Sequence, residues 1–459
     1  MSHSLRVLSA LTVCALAGSA LNAQTSFGRI SGSVMDPSGA ALVGAKVTIT
    51  SADNQSVRTS LTDSSGFFAV TNLAIGHYSA SVTYTGFQTQ EQKDLNVVAD
   101  GHVTADFTLK LGDVAHTVDE VAAAAEQINT ETGEMSKTID QKEVSNLALN
   151  GGNYIELLTL VPGTVVTNPD QFSVTTSLAA TNQTINGNRS DTQNLTVDGA
   201  FNLVAGSNGS LMNNVNSTFI QEVKVQTSNF SAEYGRNSGV AFNVVTKNGS
   251  NQFHGGLFEV FRNDKLDARN FFSVNKTQLR YNDFGGNVGG PIKRDKLFFF
   301  FGQEVKRLRQ TQSPTRVTVP DSAYLNGIFP SSVALKLPGT STPYPNNTIP
   351  ASAITPDGKA VAKVYRLMAQ QASFFNDAAV SNNVILQPSN PLNFRESLLR
   401  IDYHITDKHN LYARWIGDGN SLVDPFGTFS GSGLPTTPTL RNLPGQSYLL
   451  GETWLPTPS

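Results

Sequence analysis

The chain has 459 residues, with 33 lysines and arginines against 36 aspartates and glutamates, and a formal net charge of −3. A near-neutral chain has no basic field for nucleic acid, so nucleic acid is not an expected partner. The single cysteine excludes a disulfide framework and any metal site built from several cysteines. Only 15% of the residues are charged, below the roughly 25% of an ordinary soluble domain, which favours β structure with long polar loops.

Residues 1–23 have the pattern of a cleaved secretory signal. Arg6 supplies a positive first region, an apolar run follows from Val7 to Ala17, and small residues allow cleavage after Ala20 or Ala23. No later apolar run reaches the ~18 residues of a membrane-spanning helix. A membrane role therefore predicts a β-barrel.

Residues 24–112 alternate between turn signals, such as DPSG and DSSG, and short strands with alternating apolar residues. About seven strands at regular spacing predict an Ig-like sandwich. The segments GRISGSVMDPSGAALVGAKVTIT and TDSSGFFAVTNLAIGHYSASVTYTGF resemble the carboxypeptidase regulatory-like domain, a transthyretin-like sandwich often classed with carbohydrate-binding folds. The aromatic residues Phe67, Phe68, Tyr78 and Tyr84 fit a core better than a sugar-binding platform.

The segment 113–135 is acidic, rich in alanine and without strong periodicity. It contains a short stretch of extended propensity, Thr117 to Val121. This stretch is either a plain linker or a peptide that pairs with the edge strand of a partner. The sequence alone favours the linker.

Residues 136–250 predict an α+β domain. The spacing of Tyr154, Leu157 and Leu158 predicts a helix within 139–160 that stops at Pro162-Gly163. Two predicted strands then end in polar turns, at DG (198–199) and at KNG (247–249).

Three segments of this domain resemble the plug of TonB-dependent outer-membrane receptors, in the Oar-like group that carries an N-terminal regulatory-like domain. They are TINGNRSDTQNLTVDGAFN, IQEVKVQTSNFSAEYGRNSGVAFNVVTK and LNGGNYIELLTLVPG. The group usually reads Asn-Gly-Arg-Asn in the last segment. Gly152 replaces that arginine here, which puts any ion pair of the arginine in doubt.

The resemblance implies two sets of functional residues. The plug-motif residues are Asn186, Arg189, Asp198, Gly199, Tyr234, Gly235, Arg236 and Lys247. By position, the candidate TonB box, which a TonB-like periplasmic energy-coupling protein would bind, is Thr117, Val118, Asp119, Glu120 and Val121. Charged plug residues are expected to meet charges on the barrel wall, so Arg189 and Arg236 are either partners in such ion pairs or solvated surface arginines.

Residues 251–459 contain period-2 patterns with one apolar and one polar face, as in barrel strands. Periodicity alone does not separate a barrel from a soluble sandwich. The segments FHGGLFEVFRNDKLDARNFF, RYNDFGGNVGGPIKRDKLFFFFGQEVKRLRQ and RESLLRIDYHITDKHNLYARW resemble the first barrel strands of Oar-like receptors. This resemblance predicts a transmembrane barrel in contact with outer-membrane lipid.

Residues 311–395 form a long, proline-rich insert that suits an extracellular loop. Thr355 is the predicted cap of a helix that begins at Pro356. The stripe of this helix is predicted to serve packing and consists of Ala360, Val361, Val364, Leu367 and Met368.

About six or seven strands are predicted after residue 249, whereas plugged transporter barrels have about 22. The segment 249–459 is too short for that number because the insert takes part of it. We therefore expect the chain to be an N-terminal fragment.

The predicted fold class is mainly β: an Ig/transthyretin-like sandwich, an α+β plug domain, and the first strands of an incomplete transmembrane β-barrel. The predicted function is an outer-membrane receptor that binds an extracellular substrate, such as a saccharide, peptide or siderophore, and gates its import. The alternative is a secreted β-rich carbohydrate-binding or adhesion protein. The sequence contains no Walker A, G-x-G-x-x-G, G-x-S-x-G or H-E-x-x-H motif, so no catalytic residue, cofactor or metal is expected. His404 and His409 are predicted to be surface residues.

Overall fold

The structure is a computed structural model. It describes residues 27–112, 117–121, 133–147, 149, 152–166, 183–189, 192–204, 210–231, 234–235, 237–269, 271, 276–312, 314–379, 381–427 and 438–455. The predicted signal segment and Arg236 lie outside these ranges.

Residues 27–112 form a sandwich of two sheets. Its strands are β1 (Phe27–Met35), β2 (Lys46–Ser51), β3 (Val57–Leu61), β4 (Phe67–Ala74), β5 (Gly76–Thr83), β6 (Thr89–Val97), β7 (His102–Thr104) and β8 (Phe107–Thr108). One sheet has the order β4-β1-β7, with β8 also paired to β1. The other begins β3-β2-β5-β6 and ends with β9 (Thr117–Val121), which lies in the segment predicted to be linker.

Both predicted turns of the sandwich are confirmed, and each depends on an aspartate. The Asp36 carboxylate accepts the Ser38 and Ala40 amides at 2.8 and 2.9 Å. The Asp63 carboxylate accepts the Ser65 and Phe67 amides at 2.8 and 3.0 Å. These local bonds compete with strand extension and reverse the chain.

The aromatic residues of the sandwich follow the core prediction with one exception. Phe68 and Tyr78 are buried, and Tyr84 packs against the core beside Phe87. The prediction for Phe67 was wrong, because its side chain is on the outward face of β4 and is 46% exposed. Adjacent strand residues point to opposite faces, so Phe67 and Phe68 cannot share the core.

The plug domain contains a mixed five-stranded sheet in the order β10-β15-β16-β13-β14, in which β13 and β16 are parallel. Its strands are β10 (Met135–Asp140), β11 (Thr164–Val166), β12 (Gln183–Ile185), β13 (Gln193–Val197), β14 (Ala200–Phe201), β15 (Ile220–Ser228) and β16 (Val240–Thr246). Strands β11 and β12 form a separate ribbon. A short 3-10 helix, Ser217–Phe219, precedes β15.

The helix predicted within 139–160 is two short helices. The α-helix α1 (Gln141–Asn146) begins where the Asp140 side chain accepts the Glu143 amide, and a 3-10 helix covers Tyr154–Leu160. Between them, Gly152 has a φ of 69°, a left-handed conformation that an α-helix does not contain. The Asn153 side chain then caps the second helix by accepting the Ile155 amide.

Six long strands between residues 254 and 454 form an antiparallel sheet, here called the wall sheet, in the order β17-β18-β19-β23-β24-β25. The strands of the wall sheet and of the insert are β17 (His254–Asn263), β18 (Leu279–Lys293), β19 (Leu297–Gln310), β20 (Thr315–Val317), β21 (Phe374–Phe375), β22 (Val384–Leu386), β23 (Leu392–Thr406), β24 (His409–Asp424) and β25 (Thr439–Trp454). A 3-10 turn, Asp264–Leu266, follows β17.

The predicted period-2 pattern of the wall sheet is confirmed. Phe284, Val288 and Ile401 are exposed on the outer face, whereas Glu304 and Glu396 are buried on the inner face, against the plug domain. The inner face is mixed, because Phe300 and Leu398 are buried on it beside these carboxylates, whereas the outer face presents apolar side chains to the surroundings, as barrel strands do.

The insert between β19 and β23 has a small core of its own, centred on Val319, Val384 and Leu386. It contains α2 (Ser322–Leu325), a 3-10 turn Pro345–Asn347, and α3 (Pro356–Gln371). Among the described residues, no helix has the length and apolar character needed to cross a membrane.

The cap of α3 is confirmed, because Thr355 Oγ1 accepts the Gly358 amide at 3.1 Å. The prediction that its stripe serves packing holds for Met368, which is buried. It was wrong for Ala360, Val361, Val364 and Leu367, which are exposed because the small core of the insert covers only one edge of the helix.

Candidate functional site

The plug domain and the wall sheet share one hydrophobic core. Phe219 of the plug domain is fully buried and meets Phe300 of β19 edge-on, with ring centroids 6.3 Å apart. Leu398 and Ile416 belong to the same cluster. Gly302 makes this approach possible, because a Cβ there would lie 2.7 Å from the Phe219 ring.

Asp198 anchors the plug domain to the wall sheet through charge. The residue has a φ of 50° in the turn after β13, and its carboxylate accepts the Thr246 amide and hydroxyl, both at 2.8 Å. The Arg400 and Arg414 guanidinium groups of the wall lie 3.3 and 3.5 Å from the two carboxylate oxygens. The Tyr412 hydroxyl donates to the Asp198 carbonyl at 3.2 Å.

Arg400 is itself oriented by three partners. Its guanidinium donates to the Asp402 carboxylate at 2.9 to 3.2 Å and to the Thr246 carbonyl at 3.1 Å. It also lies over the Tyr412 ring, 5.0 Å from the centroid. A planar guanidinium held on both its edge and its face has one orientation, so the contact with Asp198 is well defined.

A second polar contact joins one plug loop to three wall carboxylates. The Asn213 side chain and the Asn214 amide donate to Asp418 at 3.2 and 2.8 Å. The Asn216 amide donates to Glu396 at 3.1 Å, and its side-chain amide donates to Glu304. Lys306 lies 3.1 Å from the same Glu304 carboxylate.

Sequence reasoning missed this second contact. The signal was present as the asparagine-rich stretch NNVN at 213–216 and as acidic residues at inward positions of β19, β23 and β24. Neither pattern identifies its partner, because the contacts span 88 to 205 residues of sequence.

Ion pairs between the plug domain and the wall are present in the structure, but the arginines of these pairs lie on the wall. The wall supplies the arginines and the plug domain supplies the aspartate. Arg189 is an exposed residue whose carbonyl accepts the Thr192 hydroxyl at 2.7 Å, and Arg236 lies outside the described residues.

The other plug-motif residues stabilise turns and edges of the plug domain. Asn186 has a φ of 53° and its amide donates to the Gly163 carbonyl, whereas Gly199 completes the turn begun by Asp198. Tyr234 is buried, the Gly235 carbonyl accepts the Asn194 side chain at 3.0 Å, and the Lys247 amide donates to the Phe219 carbonyl at 2.9 Å. Burial lowers the pKa of the Lys247 ammonium.

The sandwich contacts the plug domain through the turn that follows β6. The Ala99 amide donates to the Glu222 carboxylate of β15 at 2.6 Å. Lys224, two residues further along β15, lies 3.7 Å from Asp100 and 3.0 Å from Glu134. Burial raises the pKa of Glu222 to about 7, although the Ala99 amide and Lys224 both favour the charged form.

The candidate TonB box is strand β9 of the sandwich. It pairs with β6 in parallel, with Thr117 opposite Thr89 and Val121 opposite Lys93. The box therefore lies at the edge of a folded sheet, and its backbone is extended, as a strand-adding peptide requires.

The two singled-out histidines have different surroundings. The His409 Nε2 atom lies 2.7 Å from the Glu452 carboxylate, and the His404 ring packs edge-on against Phe298. In the described part of the chain, no group of three or more histidine, cysteine, aspartate or glutamate side chains could hold a metal ion.

Comparisons with known proteins agree with this architecture. Residues 245–459 match the outer membrane beta barrel domain, and residues 29–110 match the carboxypeptidase regulatory-like domain. The TonB-dependent transporter Oar of Myxococcus xanthus is 27% identical over 351 residues, which are 72% of this chain and 31% of that protein. The chain is thus similar to a TonB-dependent transporter over most of its own length. The outer-membrane location predicted from the sequence is thereby confirmed.

The chain spans about a third of the length of the curated relative that it matches. Two solved structures show a more distant likeness. The outer membrane transporter YddB from Escherichia coli is 14% identical with a TM-score of 0.42, covering 70% of this chain and 37% of that one. The siderophore receptor PirA from Acinetobacter baumannii is 13% identical with a TM-score of 0.38, covering 69% and 37%.

Proposed function

We propose that this protein binds an extracellular substrate and admits it through a plugged barrel when a TonB-like periplasmic protein displaces the plug domain. The partner would bind the box at Thr117–Val121. The contact of Asp198 with two wall arginines is the observation that supports this proposal most directly. It ties the plug domain to the wall by polar groups that water can solvate again once the plug moves.

The composition of the plug–wall contact fits repeated opening. A hydrogen bond to a charged group that is exchanged for one to water costs about 1.5–3 kcal/mol net, well below its strength in isolation, because water replaces the lost partner. The asparagines at 213–216 and the three wall carboxylates form such bonds. Opening also exposes the apolar cluster around Phe219, to which the wall contributes Phe300, Leu398 and Ile416.

The insert between β19 and β23 is the proposed place of substrate contact. It folds around its own core and leaves Val361, Val364 and Leu367 exposed on one helix. A saccharide, a peptide and a siderophore all remain compatible with this surface. The comparisons provide the transporter family and leave the substrate open.

Deletion of Thr117–Val121 from the full-length receptor tests the proposal. We expect energised uptake to be lost while substrate binding at the cell surface is unchanged, because the insert and the plug–wall contacts stay intact. Deletion of five residues just after the box, 122–126, is the length-matched control and should retain uptake. Normal uptake without 117–121 would contradict the proposal.

A further inference from the structure

We propose that β6 of the sandwich is a holding site for the TonB-box strand, and that the energy-coupling partner must take this strand from β6 before it can pull. The inference rests on the proposed function, because it treats Thr117–Val121 as the box. In this role the regulatory-like sandwich controls when the box is available.

The strand pairing carries the proposal. Five consecutive residues of β9 lie in register beside β6, from Thr117 opposite Thr89 to Val121 opposite Lys93. The opposite edge of β6 is occupied by β5, so β9 fills the one edge of the sandwich sheet that β6 offers. The box is therefore already paired, as a strand, with β6 of its own chain.

The pairing has the properties of a releasable contact. It is parallel, short and at the end of a sheet, and parallel pairs are slightly less stable per residue than antiparallel ones. A competing strand that forms a longer or antiparallel pair with the box would replace it at little net cost, because each backbone hydrogen bond lost to β6 is formed again with the partner.

A force on the box reaches the plug domain only after β9 is released from β6. The box leads through residues 122–134 to β10, the first strand of the plug domain. While β9 is paired with β6, a force on the box is borne by the sandwich sheet. Once β9 leaves β6, the same force reaches the plug domain through β10, so a partner that merely added to the outer edge of β9 would pull on the wrong domain.

The holding site is also tied to the plug domain. Strand β6 ends at Val97, and the turn immediately after it binds β15 through Ala99 and Asp100. Lys224 of β15 contacts both Asp100 and Glu134, the residue just before β10. Both ends of the segment that contains the box are therefore fixed beside one lysine, and a shift of β15 disturbs both.

An engineered disulfide tests whether β6 and the partner compete for the box. Glu91 and Asp119 lie opposite each other in the register, so the double variant Glu91→Cys/Asp119→Cys should close a disulfide that locks β9 on β6. The control is Glu91→Cys/Glu120→Cys, in which the second cysteine is displaced by one position of the register, where the alternation of a strand prevents closure. The natural Cys14 lies in the predicted signal segment.

Binding is measured on the intact chain with the purified periplasmic domain of a TonB protein as the probe. We expect oxidation to weaken binding of the in-register variant at least tenfold, reductant to restore it, and the control variant to bind equally in both states. Hydrogen exchange of the amides of 117–121 should be slow without the probe, and the β6 amides that face β9 should exchange faster when the probe is added, because β6 then loses its neighbouring strand.

The outcomes separate this inference from the proposed function. Equal binding by the oxidised and reduced in-register variant would overturn the holding role and leave the box assignment intact. Absence of binding by both oxidised and reduced chains would overturn the box assignment and the holding role together. Failure to form the disulfide combined with fast exchange at 117–121 would show that β6 does not hold the strand.

Discussion

The carboxylate of Asp198, in the turn after β13 of the plug domain, lies 3.3 Å from the guanidinium of Arg400 on wall strand β23. The two residues are 202 positions apart in sequence. Asp198 also receives the amide and hydroxyl of Thr246, where the plug domain leads into the wall sheet. One carboxylate thus fixes the end of β16 and the position of the plug against the wall.

The substitution Asp198→Asn should loosen the plug domain. The asparagine side chain has a similar size but leaves Arg400 and Arg414 without the anionic partner between them, and breaking a buried pair in this way costs about 3 kcal/mol. We expect faster hydrogen exchange in β13 and β16 and a lower thermal midpoint. Asp357→Asn, at an exposed position in the first turn of α3, is the matched control and should leave both unchanged.

A second prediction concerns the pH dependence of the contact between the sandwich and the plug domain. The pKa of Glu222 is raised from its ordinary value of 4.5 to about 7 by burial, with Asp100 and Asp140 adding repulsion and Lys224 opposing it. Between these two pH values the folded state binds more protons than the unfolded state. The stabilisation of the folded state by protonated Glu222 is therefore complete below pH 4.5 and is lost as the pH rises to 7. The free energy of unfolding falls by about 3 kcal/mol over this range, because each unit of pKa difference corresponds to about 1.36 kcal/mol.

Glu222→Gln provides the control for this titration. Glutamine resembles the protonated carboxyl and does not titrate, so the variant should keep its stability between pH 4.5 and 7 where the parent chain loses it. Thermal melting of both chains across this range measures the difference. Parallel pH profiles for the two chains would rule out Glu222 as the titrating group.

Much of the architecture follows from local sequence patterns. The turns at Asp36 and Asp63 and the Thr355 cap each depend on a side chain that bonds its own neighbourhood, within four residues. The alternation of buried Glu304 with its half-buried neighbours Gln303 and Val305 also follows from the strand period. Such features need no knowledge of distant partners.

The remaining features are set by tertiary contacts. Val361 on α3 continues an apolar stripe, yet it is exposed because the insert has too small a core to cover the whole helix. The pairing of Arg400 on the wall with Asp198 on the plug domain joins residues 202 positions apart, so no local pattern identifies it. The pairing of β9 with β6 was not predictable from an acidic segment that resembles a linker.

A third prediction addresses Lys224, whose ammonium lies between Glu134 and Asp100 with a side chain only 5% exposed. Burial alone would raise the pKa of Glu134, but the Lys224 ammonium 3.0 Å away favours the charged form and the pKa is lowered. Lys224→Met should remove the cation, raise the pKa of Glu134, and weaken the sandwich contact by about 2 kcal/mol. Proteolysis of the turn 98–101 should become faster.

Lys142→Met is the matched control for this variant, because Lys142 is exposed on the neighbouring helix α1. Its proteolysis rate should equal that of the parent chain. If Lys224→Met also left the rate unchanged, the ion pairs of Lys224 would contribute nothing to holding the sandwich.

The last prediction tests whether the plug domain must approach the wall sheet closely. Gly302 of β19 faces the Phe219 ring, and a Cβ at this position would lie 2.7 Å from it, too close for any side chain. Gly302→Val should therefore displace Phe219 from the shared cluster and destabilise the plug domain by about 3 kcal/mol, as expected for overpacking of a filled core. Gly256→Val on β17 is the control, since a Cβ there meets nothing within 4 Å. A lower thermal midpoint for Gly302→Val alone would show that the plug domain is seated against the wall through Phe219, whereas equal midpoints would place the ring elsewhere.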